Sequence, residues 1–392
     1  MRNLRLATLL PLSSCAALGL LGETGPAEFR EHLLATGLKG GYQVVAADLN
    51  RDGRPDLIAL ASGMKELVWF ENPSWRRHAI AGNQNRMINL AAWDADSDGI
   101  PEIVLASEFA NQAKNSVGLV SLLRHDGDPR GPWSVTGIDR LTTSHRLRWA
   151  DIEGNGKKVL VNAPLTGAAA EAPDYRGKTP LVFYRPGEWR REAIGEKNEG
   201  VVHGIFAADW DGDGRDAILT ASFVGLHLYR LGSRGWTRTE ISGGDPAPWP
   251  KSGSSDVAVG RGFNKKARYI AEIEPWHGNQ VAIYRQEHRG WARTVIDAGL
   301  DQGHTILTAD LNGDGVDEVV AGHRGTARGV NVYYAAKKRG WEKRKLDGGD
   351  MAASACAAAD LNGDGRLDIA CIGSATANLK WYENLGAVRE GP

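Results

Sequence analysis

Short apolar runs recur along the whole chain, separated by polar turns rich in glycine and aspartate. Early in the sequence, runs at 44–47, 57–60 and 67–70 are followed by Trp75-Arg-Arg-His-Ala-Ile80, where apolar and polar residues alternate. Runs this short, bounded by turn residues and rich in branched and aromatic side chains, predict strands rather than helices. The fourth segment has a signature of its own. It returns as Trp189-Arg-Arg-Glu-Ala-Ile194, Trp236-Thr-Arg-Thr-Glu-Ile241, Trp291-Ala-Arg-Thr-Val-Ile296 and Trp341-Glu-Lys-Arg-Lys-Leu346, and in diverged form as Trp133-Ser-Val-Thr-Gly-Ile138. One charged face on an alternating segment suits the outermost strand of a sheet, whose open edge must stay soluble.

Between the first two strands of most units lies an acidic loop with calcium-ligand spacing. The complete copies place oxygen-bearing side chains at Asp48, Asn50, Asp52 and Asp56; at Asp94, Asp96, Asp98 and Glu102; at Asp310, Asn312, Asp314 and Glu318; and at Asp360, Asn362, Asp364 and Asp368. Carboxylates and amides at positions one, three and five of a tight loop converge when glycine at six permits the reversal, and a carboxylate at nine closes the shell. The loop at Asp209, Asp211 and Asp213 has alanine at position nine, with Asp216 one place early. The loop at Asp151 gains lysines and loses the closing acid, so it is expected to hold no ion. The role expected for calcium here is structural.

Counting strands gives more units than counting acidic loops. The segment 257–270 has the strand–turn–strand form without the acids, and it leads into 281–284 and the Trp291 strand. The last unit stops after 379–382 without a fourth strand, while Phe29-Arg-Glu-His-Leu-Leu34 carries the outer-strand pattern at the other end of the chain. Both anomalies are resolved by an all-β, seven-bladed propeller of four-stranded blades over 27–392, closed by the N-terminal strand joining the last blade.

The acidic loops, each set between two apolar strands, resemble the FG-GAP or VCBS repeat family, which includes integrin alpha-subunit heads and many secreted bacterial propellers. The resemblance implies the propeller and its calcium. More loosely the chain resembles the propeller portion of aldos-2-ulose dehydratase, a sugar-processing lyase, through its polar His277-Gly278 loop.

A formal net charge of −1 lacks the basic footprint of a nucleic-acid binder, and no apolar run is long enough to span a bilayer. Residues 1–26 read as a secretory signal: Arg2 and Arg5 precede an apolar stretch. Leu12-Ser13-Ser14-Cys15 has the form of a lipobox, at which Cys15 would become a lipid anchor; plain cleavage between Gly22 and Ala27 is the alternative. Either way the expected location is secreted, periplasmic or cell-surface. Cys356 and Cys371 flank the last acidic loop on neighbouring strands, as a disulfide or as two small buried side chains.

Chain direction points to the face that carries function. If the inner strand of each blade ends at its acidic loop, residues beginning that strand, or following the second one, meet on the opposite face around the channel mouth. Those positions hold His145, Arg146, His203 and His304, then Glu108, Glu274, Trp276, His277, Asn279, His323 and Arg324. Such a rim suits a binding scaffold for a carbohydrate or an extracellular protein, with Trp276 stacking on a sugar face. The alternative is a sugar lyase or dehydratase in which His203, His277 and His304 act as acid and base or hold a transition metal. Convergence of those three rings on one point separates the two readings.

Overall fold

The computed structural model describes residues 25–262, 267–336 and 340–388. Seven four-stranded antiparallel sheets form the seven expected blades, each meandering outward from the central channel. The inner strands, in order from blade I to blade VII, are Gly41–Ala47, Asn89–Trp93, Ser144–Ala150, Val202–Asp209, Asp256–Arg261, Gly303–Ala309 and Ala353–Ala359. The signal and lipobox segment lies outside the described residues.

Each blade buries both faces against its neighbours. Leu49, Ile58, Leu60 and Trp69 of blade I interlock with Leu90, Ile103, Leu105 and Trp133 of blade II. On its other face, blade I packs Leu57 and Phe70 against Ile372 and Trp381 of blade VII, which closes the ring. Second strands buried on both sides therefore read as continuous apolar runs, such as Asp56–Ala61. Outer strands are half-wet: in Gly340–Asp347, Trp341 is part-buried while the basic residues point to solvent.

The N-terminal strand Ala27–Ala35 pairs antiparallel with Leu379–Ala387 as the outermost strand of blade VII. His32 stacks on Trp381 with centroids 4.4 Å apart. In the same blade Cys356 lies directly opposite Cys371, and the two are joined as a disulfide. Blade III departs from the sequence pattern. Its outer strand shrinks to Glu192–Ala193, after a turn in which the Trp189 N–H donates to the Arg185 carbonyl and Trp189 takes a positive φ of 49°. No helix among the described residues is long and apolar enough to cross a membrane.

A tyrosine–carboxylate tie links successive blades. The Tyr333 hydroxyl donates to Asp297 at 2.6 Å, and Tyr382 donates to Asp347 at 2.8 Å. Tyr184 does the same to Asp139. Each aspartate closes an outer strand and also binds a cation (Lys343, Lys380 and Arg191, respectively). All three aspartates are held below the usual carboxylate range by these partners, although burial pushes the other way.

Candidate active site

Five of the seven inner strands begin with the same irregularity: the register skips a residue between Gly41 and Gln43, Ser144 and Arg146, Val202 and Gly204, Gly303 and Thr305, and Ala353 and Ala355. The skipped residues are Tyr42, His145, His203, His304 and Ser354. A bulged residue leaves the ladder and its side chain is re-aimed. Here the repeated bulge gathers rings from separate blades over the channel. Tyr42 meets His304 edge-on at 5.2 Å, and His203 lies 5.0 Å from His145 and 5.1 Å from His304 between centroids.

Blade V has no such bulge, and it contributes through a turn instead. Pro275-Trp276-His277-Gly278 reverses so tightly that a Cβ on Gly278 would sit 2.2 Å from the Glu274 carbonyl oxygen. Glycine is therefore required there. The turn holds His277 at φ 49° and brings its Nε2 to 3.2 Å from His203 Nε2.

Second contacts fix the rings. His304 Nδ1 lies 2.6 Å from the Ser354 carbonyl, which can only accept, so the proton sits on Nδ1 and the lone pair on Nε2. That Nε2 is buried with no hydrogen-bond partner. Ser255 Oγ accepts the His277 backbone N–H and lies 3.2 Å from His203 Nδ1. One nitrogen from each of His203, His277 and His304 falls within 4.8 Å of the other two.

Burial, reinforced by nearby arginines, lowers all four imidazoles below the usual histidine range, His277 to about 3. They are neutral at physiological pH and offer lone pairs. Arg146 reaches His145 Nε2 at 3.0 Å and His203 Nε2 at 3.4 Å, and Arg324 reaches His277 Nε2 at 3.5 Å. The Tyr42 hydroxyl lies 2.9 Å from His145 Nε2. On one side the Trp276 ring packs near His277, Phe223 and Tyr175, and Phe109 sits 5.5 Å from His145. Below the rings the channel encloses a cavity of about 520 Å³ whose lining includes Tyr42, Arg146, Arg148, Asp256 and His304.

Of the rim residues expected from sequence, His145, Arg146, His203, Trp276, His277, His304 and Arg324 come together. Four do not. Glu274 is fully buried within blade V, accepting from Tyr284 at 2.5 Å and from Arg293, because the last residue of its strand faces the blade interior. Asn279 is exposed and donates to the Ala298 carbonyl. Glu108 pairs outward with Arg86 at 2.9 Å. His323 packs beside Gly329 within blade VI. Tyr42 was missed, although it occupies in blade I the position that His145, His203 and His304 occupy in theirs.

On the opposite face every acidic loop is closed by its first aspartate. Asp48 accepts the backbone N–H groups of Asp52 and Gly53, Asp94 and Asp360 repeat the arrangement, and Asp310 accepts those of Gly313 and Gly315. The loops at Asp151 and Asp209 share it. Carboxylate oxygens of Asp94, Asp96 and Glu102 lie within 4.8 Å of one another. Asp56 and Asp368 each accept two backbone N–H groups instead. In the loop at Asp209, Asp211 is ion-paired with Arg230, and Asp216 accepts the Asp151 N–H of the neighbouring blade.

Comparison with known proteins agrees with this architecture. Residues 48–105 and 310–371 match the FG-GAP-like repeat, and residues 117–287 match the aldos-2-ulose dehydratase beta-propeller domain. Aldos-2-ulose dehydratase of Phanerodontia chrysosporium is 26% identical over 348 residues, or 76% of this chain; the chain spans 37% of that relative's length. A crystal structure of BBS1N in complex with ARL6DN, soaked with lead, superposes with a TM-score of 0.58 over 93% of this chain and 98% of that one, at 10% identity, a likeness of fold alone. The chain is a seven-bladed propeller carrying FG-GAP-like repeats, similar in sequence to the propeller domain of aldos-2-ulose dehydratase.

Proposed function

We propose that this chain is a carbohydrate lyase of the dehydratase kind, working at the channel mouth, rather than a scaffold alone. The observation that carries the reading is the convergence of His203, His277 and His304 to within 4.8 Å, with the His304 Nε2 lone pair buried and unpartnered. A scaffold has no need of three neutral imidazoles aimed at one point. The similarity to a protein named aldos-2-ulose dehydratase supports the same class.

The three histidines fit as ligands better than as proton carriers. A general acid or base works best with a pKa near the operating pH, and the His277 ring is lowered to about 3. Neutral imidazoles, two of them fixed through Nδ1 by Ser354 and Ser255, are the residues that would hold a zinc-like transition metal. Such a metal would supply Lewis-acid polarisation of a substrate carbonyl. The chain's own groups do the rest. Trp276 and Phe109 offer apolar surface to a sugar face, and Arg146 and Arg324 donate to its oxygens. His145 Nε2, between Arg146 and the Tyr42 hydroxyl, holds both groups in position at the mouth. In the elimination a proton leaves the carbon beside the carbonyl and its electron pair forms the C=C bond. The hydroxyl on the next carbon departs as water, taking a proton.

On the opposite face we assign calcium a structural role. The all-oxygen donors of Asp94, Asp96 and Glu102 suit a hard cation. Burial raises Glu102 to about 7 and Glu318 to about 9, so a bound cation would make their charged forms tolerable. The loop at Asp209 fits less well, since Arg230 already occupies Asp211. With a leader at 1–26, these sites would meet extracellular calcium.

The test of function is turnover of neutral and carboxylated sugars, an aldos-2-ulose and a uronate among them, by the metal-loaded protein, followed as the rise in ultraviolet absorbance of the unsaturated carbonyl product. Loss of that signal in His277→Ala supports the reading. Sugar binding without turnover by the wild type would return the chain to a scaffold.

A further inference from the structure

The arginines of the channel differ from several arginines elsewhere in the ring in having no acid at ion-pair distance. Arg293 is paired with Glu274, Arg261 with Asp317, and Arg191 with Asp139. Among the described residues, no carboxylate oxygen lies within the 4.0 Å of an ion pair from Arg146, Arg148 or Arg324. Arg146 is only 5% exposed, yet its contacts are imidazole nitrogens and the Tyr42 hydroxyl. Arg324 contacts His277 in the same way. Arg148, below them, bonds the Leu147 carbonyl. Asp256, part-buried in the same lining, acts by its charge on Arg146 and Arg148 without reaching ion-pair distance and spends an oxygen on the Ile306 N–H; burial pushes its own pKa up, and no such acid acts on Arg324.

The surrounding imidazoles cannot balance this charge, because an imidazole is either neutral or cationic. A buried guanidinium without a counter-charge is costly, and it is retained where a ligand supplies the missing anion. Arg146 and Arg324 stand on either side of the histidine cluster, one against His145 and His203, the other against His277. Beside them is the apolar wall of Trp276 and Phe109.

We propose that the site takes a sugar acid, its carboxylate held between Arg146 and Arg324 with the Tyr42 hydroxyl beside them. This rests on the lyase reading and narrows its substrate from sugars in general to sugar acids. A carboxylate matches the planar guanidinium fork and brings the negative charge that the protein withholds, while the ring it is attached to covers the aromatic wall.

The test is calorimetric titration of the purified full chain with D-glucuronate, D-galacturonate, D-glucose and inorganic phosphate, at low and moderate salt. At least one uronate should bind about tenfold or more tighter than glucose, a difference of about 1.4 kcal/mol, and should weaken as salt rises. Arg324→Gln should lose about that factor, and Arg324→Lys should keep part of it. Both variants should retain the wild-type metal content and melting curve; Arg146→Gln gives a second measurement should Arg324→Gln prove unstable. Equal affinity for glucose and both uronates would overturn the proposal. So would phosphate binding without uronate binding, or uronate affinity that survives both Gln substitutions. Because uronate binding is read without turnover, a chain that binds uronates through Arg324 but converts no sugar upholds this inference and defeats the lyase reading.

Discussion

Glu272 is the residue whose chemistry is least compensated. It is fully buried, neither carboxylate oxygen has a hydrogen-bond partner, and burial followed by the charge of Glu274 pushes its pKa well above the usual range. A raised acid favours the protonated folded state. Stability is therefore fully present below the unfolded pKa near 4.5 and is lost as pH rises from there toward the folded value. Glu272→Met, close in length and uncharged, should raise stability at pH 7 by about 1–3 kcal/mol. It should also flatten the fall in melting temperature between pH 5 and 8, and calorimetric melts across that range check both effects. Single residues were unevenly legible. His203, His277 and His304 could be placed at the mouth because chain direction follows from the acidic loops. Glu274 could not, because inward or outward facing at a strand end depends on where the ladder stops. Tyr42 carried a signal that repeat alignment would have found: it stands where the histidines stand in blades III, IV and VI.

Among elements, the bulge that begins five inner strands is what converts a channel wall into a site. It has no composition of its own, since Gly41, Ser144, Val202, Gly303 and Ala353 precede it, so it was invisible until register was known. Strand count, outer-strand chemistry and the N-terminal partner of the last blade were legible, because alternation and turn residues follow directly from burial. The inter-blade tie at Asp347 offers an element-level test. It accepts from buried Lys380 at 2.9 Å and from Tyr382 at 2.8 Å. Asp347→Asn should cost about 3 kcal/mol in denaturant melts, because it removes one partner of a buried charged pair. Glu31, also 2.8 Å from Lys380, is nearly half exposed and should rescue only part of this. The acidic loops make a separate prediction. Their geometry is already closed by backbone N–H groups, so a chelator should lower the melting temperature without unfolding the ring at room temperature. Each loop filled at a hundred times its dissociation constant would contribute about 2.7 kcal/mol. Glu102→Gln should reduce the response to calcium, and an unchanged response would remove the second loop from the set.

At the scale of the molecule the ring is the instrument. His203, His277 and His304 belong to blades IV, V and VI and meet only because packing between blades closes the circle, with Ala27–Ala35 completing blade VII. The two faces thereby separate two chemistries: hard oxygen donors in the acidic loops, and neutral nitrogen donors flanked by arginines at the mouth. The most direct test of this account is elemental analysis of the purified chain after zinc loading and desalting, in the presence of excess calcium. The account predicts about one tightly held zinc per chain, lost in both His277→Ala and His304→Ala while calcium content and melting behaviour persist. No retained zinc in the wild type, or zinc retained in both variants, would contradict it.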